Sequence, residues 1–348
     1  MKSLKVMKLF SFLVVLLLVL GGLTYADTHS NVQAVDADGY GTHPDLFTSN
    51  KVTVEGIVLN RPDFMLDATA DQNAPSINAM PKWQIYIQGE DADHAGTAVW
   101  MGQCYDVVPG GYGTYTNQQW LDEIYRLSHD PCSRYEFAPG DRVRVTGLLK
   151  FYAGKTNINE RHNTEPDYNL TIQLVEAGVG LPQPEVITLD DVKDADDDFM
   201  FDANRLSGCE YYQGRLVKIN NVSFVDANSW GPEADLTITD GRKTFPVRLG
   251  IGWGVRPGSN NLSEPFDIIG IFDQEAVGWP PDCTTGYRIW VLNYDGNGKV
   301  LTDRAYGKYN LPGEINRDGK VDMFDIAWLA NNWLKCVPGS GGCGGSSN

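Results

Sequence analysis

The sequence predicts an all-β protein: two small five-stranded barrels in tandem, followed by a short loop-and-helix module. Three observations carry this. Most apolar residues fall in short runs rich in β-branched and aromatic side chains, bounded by Gly, Pro, Asn and Asp. The order of those runs occurs twice. Only near the C-terminus does an acidic loop lead into a clean 3.6-residue apolar pattern.

The 348 residues are enough for two or three domains. Lys2, Lys5 and Lys8 precede an apolar run from Leu9 to Leu23, and Thr24-Tyr25-Ala26 offers small residues for cleavage before Asp27. That is the pattern of a secretory leader spanning 1–26, and it predicts an exported protein, extracellular, periplasmic or at the cell surface. The formal charge is −17 and becomes more negative once the leader lysines leave. Such a chain repels phosphate backbones and anionic lipid and attracts divalent cations. The five histidines show no metal-ligand spacing.

Residues 27–47 are polar and read as an extended lead-in. Residues 48–178 read as the first barrel. Val52–Leu59 alternates as a strand, and Trp83–Ile87 with Ala98–Met101 reads as a hairpin. Thr116–Leu127 reads as a helix capped by Thr116 or Asn117. Gly140–Tyr152 and Asn169–Leu174 supply the last two strands. Strand, hairpin, helix and two strands is the element order of an OB-fold. The Gly140-Asp141-Arg142-Val143-Arg144-Val145-Thr146-Gly147 stretch resembles the fourth strand of bacterial OB-like domains.

After a Leu181-Pro182-Gln183-Pro184 linker, residues 182–305 repeat the order less regularly. Thr188 caps a short helix. Tyr212–Ile219, a Leu236–Leu249 hairpin turning at Asp240-Gly241, Pro265–Phe272 and Tyr287–Leu292 follow. A loop at 252–264 takes the place of the helix.

The module at 311–335 carries the one spacing with chemistry. Glu314, Asn316, Asp318, Lys320 (through its carbonyl), Asp322 and Asp325 fall at positions 1, 3, 5, 7, 9 and 12 of a loop with Gly319 at its turn. Ca²⁺ takes about six to eight oxygens, and this spacing supplies them from one segment. Ile326, Leu329, Ala330, Trp333 and Leu334 line one face of the following helix, and Phe324 and Trp328 project from the other. The segment resembles one repeat of a type I dockerin, the calcium module that plugs secreted bacterial proteins into cohesins. The resemblance implies a cohesin-like partner contacted through Phe324 and Trp328. It departs from the family in Glu314 at position 1 and in being a single repeat. The upstream echo at Asn293–Val300 has Arg304 at position 12 and reads as a hairpin turn.

Six cysteines suit an oxidising compartment. Sequential pairing, Cys104 with Cys132, Cys209 with Cys283 and Cys336 with Cys343, keeps each pair inside one module, although six cysteines allow fifteen pairings. The last pair falls in the Gly/Ser-rich tail, 336–348. No nucleophile elbow, zinc spacing or phosphate-cradling loop is present. Arg142, Arg144, Lys150, Lys155 and Arg161 cluster around Phe151 and Tyr152, which reads either as a nucleic-acid face or as solvated barrel surface, and the net charge favours the surface. A carbohydrate face would draw on Trp83, Trp100, Trp230 or Trp253. Two readings of function follow. One is a non-catalytic, calcium-binding protein that docks on a cohesin-like partner while its barrels bind a ligand such as polysaccharide. The other is a structural protein assembling with copies of itself into an extracellular layer or filament. A weaker third is an accessory to an extracellular hydrolase or nuclease.

Overall fold

The computed structural model describes residues 26–61, 82–106, 110–226, 234–249, 265–278, 280–292 and Met323. The first barrel contains β1 (Val52–Val58), β2 (Lys82–Gln88), β3 (Gly96–Gly102), β4 (Arg142–Tyr152) and β5 (Lys155–Asn159). Its strands hydrogen-bond in the order β1-β2-β3-β5-β4, and β4 pairs back onto β1, so the sheet closes as a five-stranded barrel. The closing contact is parallel, between Ala98 and Val99 of β3 and Asn157 and Ile158 of β5. Val54, Ile85, Ile87, Val99, Met101, Val143, Val145 and Ile158 alternate inward and fill the core.

The fifth strand is not the one expected. Asn169–Leu174 belongs to β6 (Thr171–Glu176), which adds outside the ring on the first half of β4. The second half of β4 takes β5, Lys-Thr-Asn-Ile-Asn, which lacks apolar alternation because its outward side is polar and covered. The helix between β3 and β4 is α2 (Asn117–Ser128). Thr116 and Gln119 form a reciprocal capping box, and Trp120 and Leu127 enter the core.

The lead-in is also more than an extended arm. Asp27 bridges Val54 in parallel, α1 (His29–Val32) follows, and a 3₁₀ turn at Pro44–Phe47 lies against β4. Val32 and Leu46 join the first core, so residues 27–47 are part of the first barrel.

The second sheet repeats this plan. β7 (Glu185–Ile187) pairs in parallel with β8 (Leu216–Phe224), just as Asp27 bridges β1. β9 (Asp235–Thr239), β10 (Thr244–Arg248), β11 (Phe266–Gln274) and β12 (Tyr287–Leu292) then pair in the order β8-β9-β10-β12-β11, with β11 returning to β8. The parallel contact recurs between β10 and β12. The duplication extends into the lead-in. Val35 bridges Gly41 around Asp36-Ala37-Asp38, and Lys193 bridges Phe199 around Asp194-Ala195-Asp196. In both loops the first aspartate's Oδ1 accepts two backbone N–H groups, and the residue at the turn, Gly39 or Asp197, has a positive φ of 79° or 64°. These are Asx turns, as the sequence suggests for Asp36–Gly39. The loop 252–264 lies outside the described residues.

Between the barrels Leu59, Tyr86 and Ala98 of the first pack on Leu216, Ile269, Ile271, Trp290 and Leu292 of the second. Each side chain so removed from water contributes roughly 1.5–3 kcal/mol. The backbones also touch: Gly96 N–H donates to Gln213 O at 3.0 Å, and Ala276 N–H to Ala153 O at 2.9 Å. Gly214 is required at this seam, because at φ +75° a Cβ would sit 2.3 Å from Gly96 O. Among the described residues, no helix is long and apolar enough to cross a membrane.

Candidate functional site

The seam has a polar centre. Asp273 is fully buried on β11. Its Oδ1 accepts from the Tyr86 hydroxyl and from Lys155 Nζ, each at 2.5 Å. Its Oδ2 accepts from Arg288 Nε at 3.0 Å and Trp290 Nε1 at 2.8 Å. Burial alone would raise this carboxyl, but Lys155 and Arg288 overcome it and hold the pKa at about 2. Tyr86 and Lys155 come from the first barrel and the other three from the second, so the carboxylate pins the two together.

Lys155 is therefore not part of a basic patch. The rest of the predicted cluster is engaged as well. Arg142 pairs with Glu90 and Glu176, and Arg144 with Glu55. Arg161 donates to the carbonyls of Leu149, Asp45 and Leu46. Lys150 makes no ion pair among the described residues; burial lowers its pKa, with help from Arg161.

Each barrel also holds a buried glutamate. Glu160, just past β5, accepts from the Tyr105 and Tyr115 hydroxyls on Oε2 at 3.2 and 3.0 Å, while Oε1 has no hydrogen bond and lies 3.8 Å from Arg126. Burial pushes its pKa up to about 7, and Glu123 adds to the shift. Glu210, in α3 (Gly208–Tyr211), accepts from the Tyr287 hydroxyl at 2.7 Å and faces Arg205 at 3.3 Å. Burial pushes it to about 7 too, and lowers the Arg205 pKa, so desolvation exceeds the pair's attraction. Both carboxyls are buried and held by tyrosine hydroxyls.

The more open arrangement is on the outward side of β2 and β3, past the seam. Trp100 lies along β3 over Gly102, where an added Cβ would come within 2.8 Å of its Cη2. The His162 ring stands at 64° to the indole with centroids 5.4 Å apart, and stacks on Tyr105 at 5.3 Å. Burial, and then Lys150, lower the His162 pKa to about 4, so the imidazole is neutral. Tyr112 is exposed beside it, its N–H donating to His162 O at 2.8 Å. Trp83 is buried inside the barrel, so of the tryptophans singled out from sequence Trp100 is the one placed on a surface; Trp230 and Trp253 lie outside the described residues.

A charged recess of about 660 Å³ sits beside the Asp194–Asp198 loop. Its cations are bound by its own aspartates: Arg242 and Lys243 by Asp190, Lys193 by Asp197.

The predicted calcium ligands Glu314, Asn316, Asp318, Lys320, Asp322 and Asp325 lie outside the described residues, as do Phe324 and Trp328. Met323, between them, is helical and exposed. Among the described residues, no group of three His, Cys, Asp or Glu side chains is placed to hold a metal. Among the described residues, the expected pairs Cys104 with Cys132 and Cys209 with Cys283 are not formed. Cys104, Cys132, Cys209 and Cys283 are free, with Cys104 Sγ 2.9 Å from Thr114 Oγ1, Cys209 Sγ on Val192 O at 3.2 Å and Cys283 Sγ on Pro281 O at 3.7 Å. Cys104 bridges Thr114 as Cys132 turns out to solvent, and Cys209 and Cys283 are each buried against a different carbonyl. Cys336 and Cys343 lie outside the described residues. No family model matches the chain, and no curated protein matches it.

Proposed function

We propose that this is a secreted, non-catalytic adaptor, its tail organised by one Ca²⁺ and docking on a cohesin-like partner while the fused barrels present a ligand-binding face for polysaccharide. The observation that supports the ligand half most is the surface at Trp100: a part-exposed indole laid along the sheet, walled by a neutral imidazole. The charge pattern fits the same reading. Four of the five cations that suggested nucleic acid, Arg142, Arg144, Lys155 and Arg161, are tied to carboxylates or carbonyls, and the chain as a whole is strongly acidic. The calcium half rests on the spacing of Glu314 to Asp325.

Retention of the full mature chain on an immobilised type I cohesin, in Ca²⁺ and in EGTA, tests the docking. Retention in Ca²⁺ that disappears in EGTA and in Asp318→Ala/Asp325→Ala supports it. No retention in either buffer removes the cohesin-like partner. Sedimentation at high concentration with Ca²⁺ then decides for self-assembly, because copies of the chain that associate would form larger species.

A further inference from the structure

The strand register places Gln84 of β2 directly opposite Trp100 of β3, on the same outward side. Gln84 is 5% exposed, and its Nε2 has no hydrogen-bond partner. A buried amide donor left unsatisfied costs roughly 1–3 kcal/mol. Gly102 adds to the picture, since its missing side chain is what lets the indole lie along the sheet. A flat aromatic face and an unused amide donor share one cross-strand pair, and the neutral His162 imidazole stands against the indole, centroids 5.4 Å apart.

A ligand that satisfies all three has an apolar face to stack on the indole and a neutral oxygen at its edge to accept from Gln84. A pyranose ring has both. A nucleobase stacks equally well, but its phosphates find only Lys150 uncommitted here, on a chain of formal charge −17. We propose that Trp100, Gln84 and His162 form a subsite for one sugar ring of an extracellular polysaccharide. The subsite rests on the reading of the barrels as ligand-binding. Trp100 supplies the platform, Gln84 the hydrogen bond to a ring hydroxyl, and His162 the wall that limits the ring's lateral position.

The test is titration of the full mature chain with cellohexaose, xylohexaose, mannohexaose and hexagalacturonate, followed by calorimetry and tryptophan fluorescence. At least one saccharide should bind and change the emission. Trp100→Ala and Gln84→Leu should each weaken that binding tenfold or more, and Tyr135→Ala, an exposed ring elsewhere, should leave it unchanged. Gly102→Ala, which displaces the indole without removing it, should weaken binding while the melting temperature stays near wild type, and it serves where Trp100→Ala folds poorly. Binding that survives in Trp100→Ala and in Gln84→Leu overturns the subsite but leaves the ligand-binding reading standing. Absence of binding by the wild-type chain to all four overturns both.

Discussion

Lys155 and Asp273 are 118 positions apart in the chain, and their side chains meet at 2.5 Å in the seam between the barrels. Neither is exposed to water, and the carboxylate also takes donors from Tyr86, Arg288 and Trp290. Removing the carboxylate leaves Lys155 as a buried cation without its counter-ion and strips the Tyr86 and Trp290 donors of their acceptor, while Arg288 keeps Glu275. Asp273→Ala should therefore cost about 3–5 kcal/mol in chemical unfolding. Because the seam joins both cores, tryptophan emission and far-UV signal should report one common transition in the wild-type chain. Two resolved transitions there would mean that the barrels are independent.

Glu160 and Glu210 set the pH dependence near neutrality. Their folded pKa values of about 7 lie above the ordinary glutamate value of 4.5, so each of these groups holds more proton in the folded protein than in the unfolded chain in that window. These two carboxyls therefore contribute a loss of stability as pH rises from about 4.5 to about 7, opposed by His162, whose pKa lowered to about 4 makes stability rise with pH up to the ordinary histidine value of 6.5. Each glutamate removes on the order of 3 kcal/mol across the window. Glu160→Gln should flatten its share, so the variant gains on wild type as pH rises from 5 to 8 in urea unfolding.

The free thiols differ in reach. Cys132 is exposed and should react with iodoacetamide in the native protein. Cys209 is buried, and burial and then Glu210 push its thiol pKa up, so it should label only after unfolding. Peptide mapping after labelling distinguishes this from a Cys104–Cys132 bridge, which would leave Cys132 unlabelled throughout.

Gly214 is a steric test of the seam. Gly214→Ala puts a methyl against Gly96 O and forces a positive φ on alanine, so it should loosen the barrels from each other. Proteolysis in the 177–184 linker should accelerate in the variant while each barrel remains resistant.

Much of the barrel plan is readable from local pattern. β1, β2, β4 and β12 alternate clearly, and Thr116 announces α2 four residues ahead of its buried Trp120. What escaped was set by distant partners. Lys155 to Asn159 looks like a polar loop until the second barrel is known to cover Lys155, which is why Asn169–Leu174 reads as the last strand from sequence. Arg161 resembles a surface cation but is bound by carbonyls of the lead-in. Sequential order of cysteines carries no geometry, and the two pairs read from it among the described residues, Cys104 with Cys132 and Cys209 with Cys283, are open here. Trp83 and Trp100 are equivalent as composition; only strand parity separates them, because Trp83 points inward and Trp100 outward. Gln84's neighbourhood was within reach of sequence, since a hairpin turning at 89–95 puts it beside Trp100. The Asp-Ala-Asp repeat at 36 and 194 was also visible, and marks the duplication more sharply than the strands do.

Isothermal titration of the full mature chain with Ca²⁺ tests the adaptor reading most directly. The account predicts one site, a melting temperature that rises with free Ca²⁺ as ln(1 + [Ca²⁺]/Kd), and loss of both in Asp318→Ala/Asp325→Ala. An unchanged binding isotherm in that double variant, or no heat in the wild type, would contradict it.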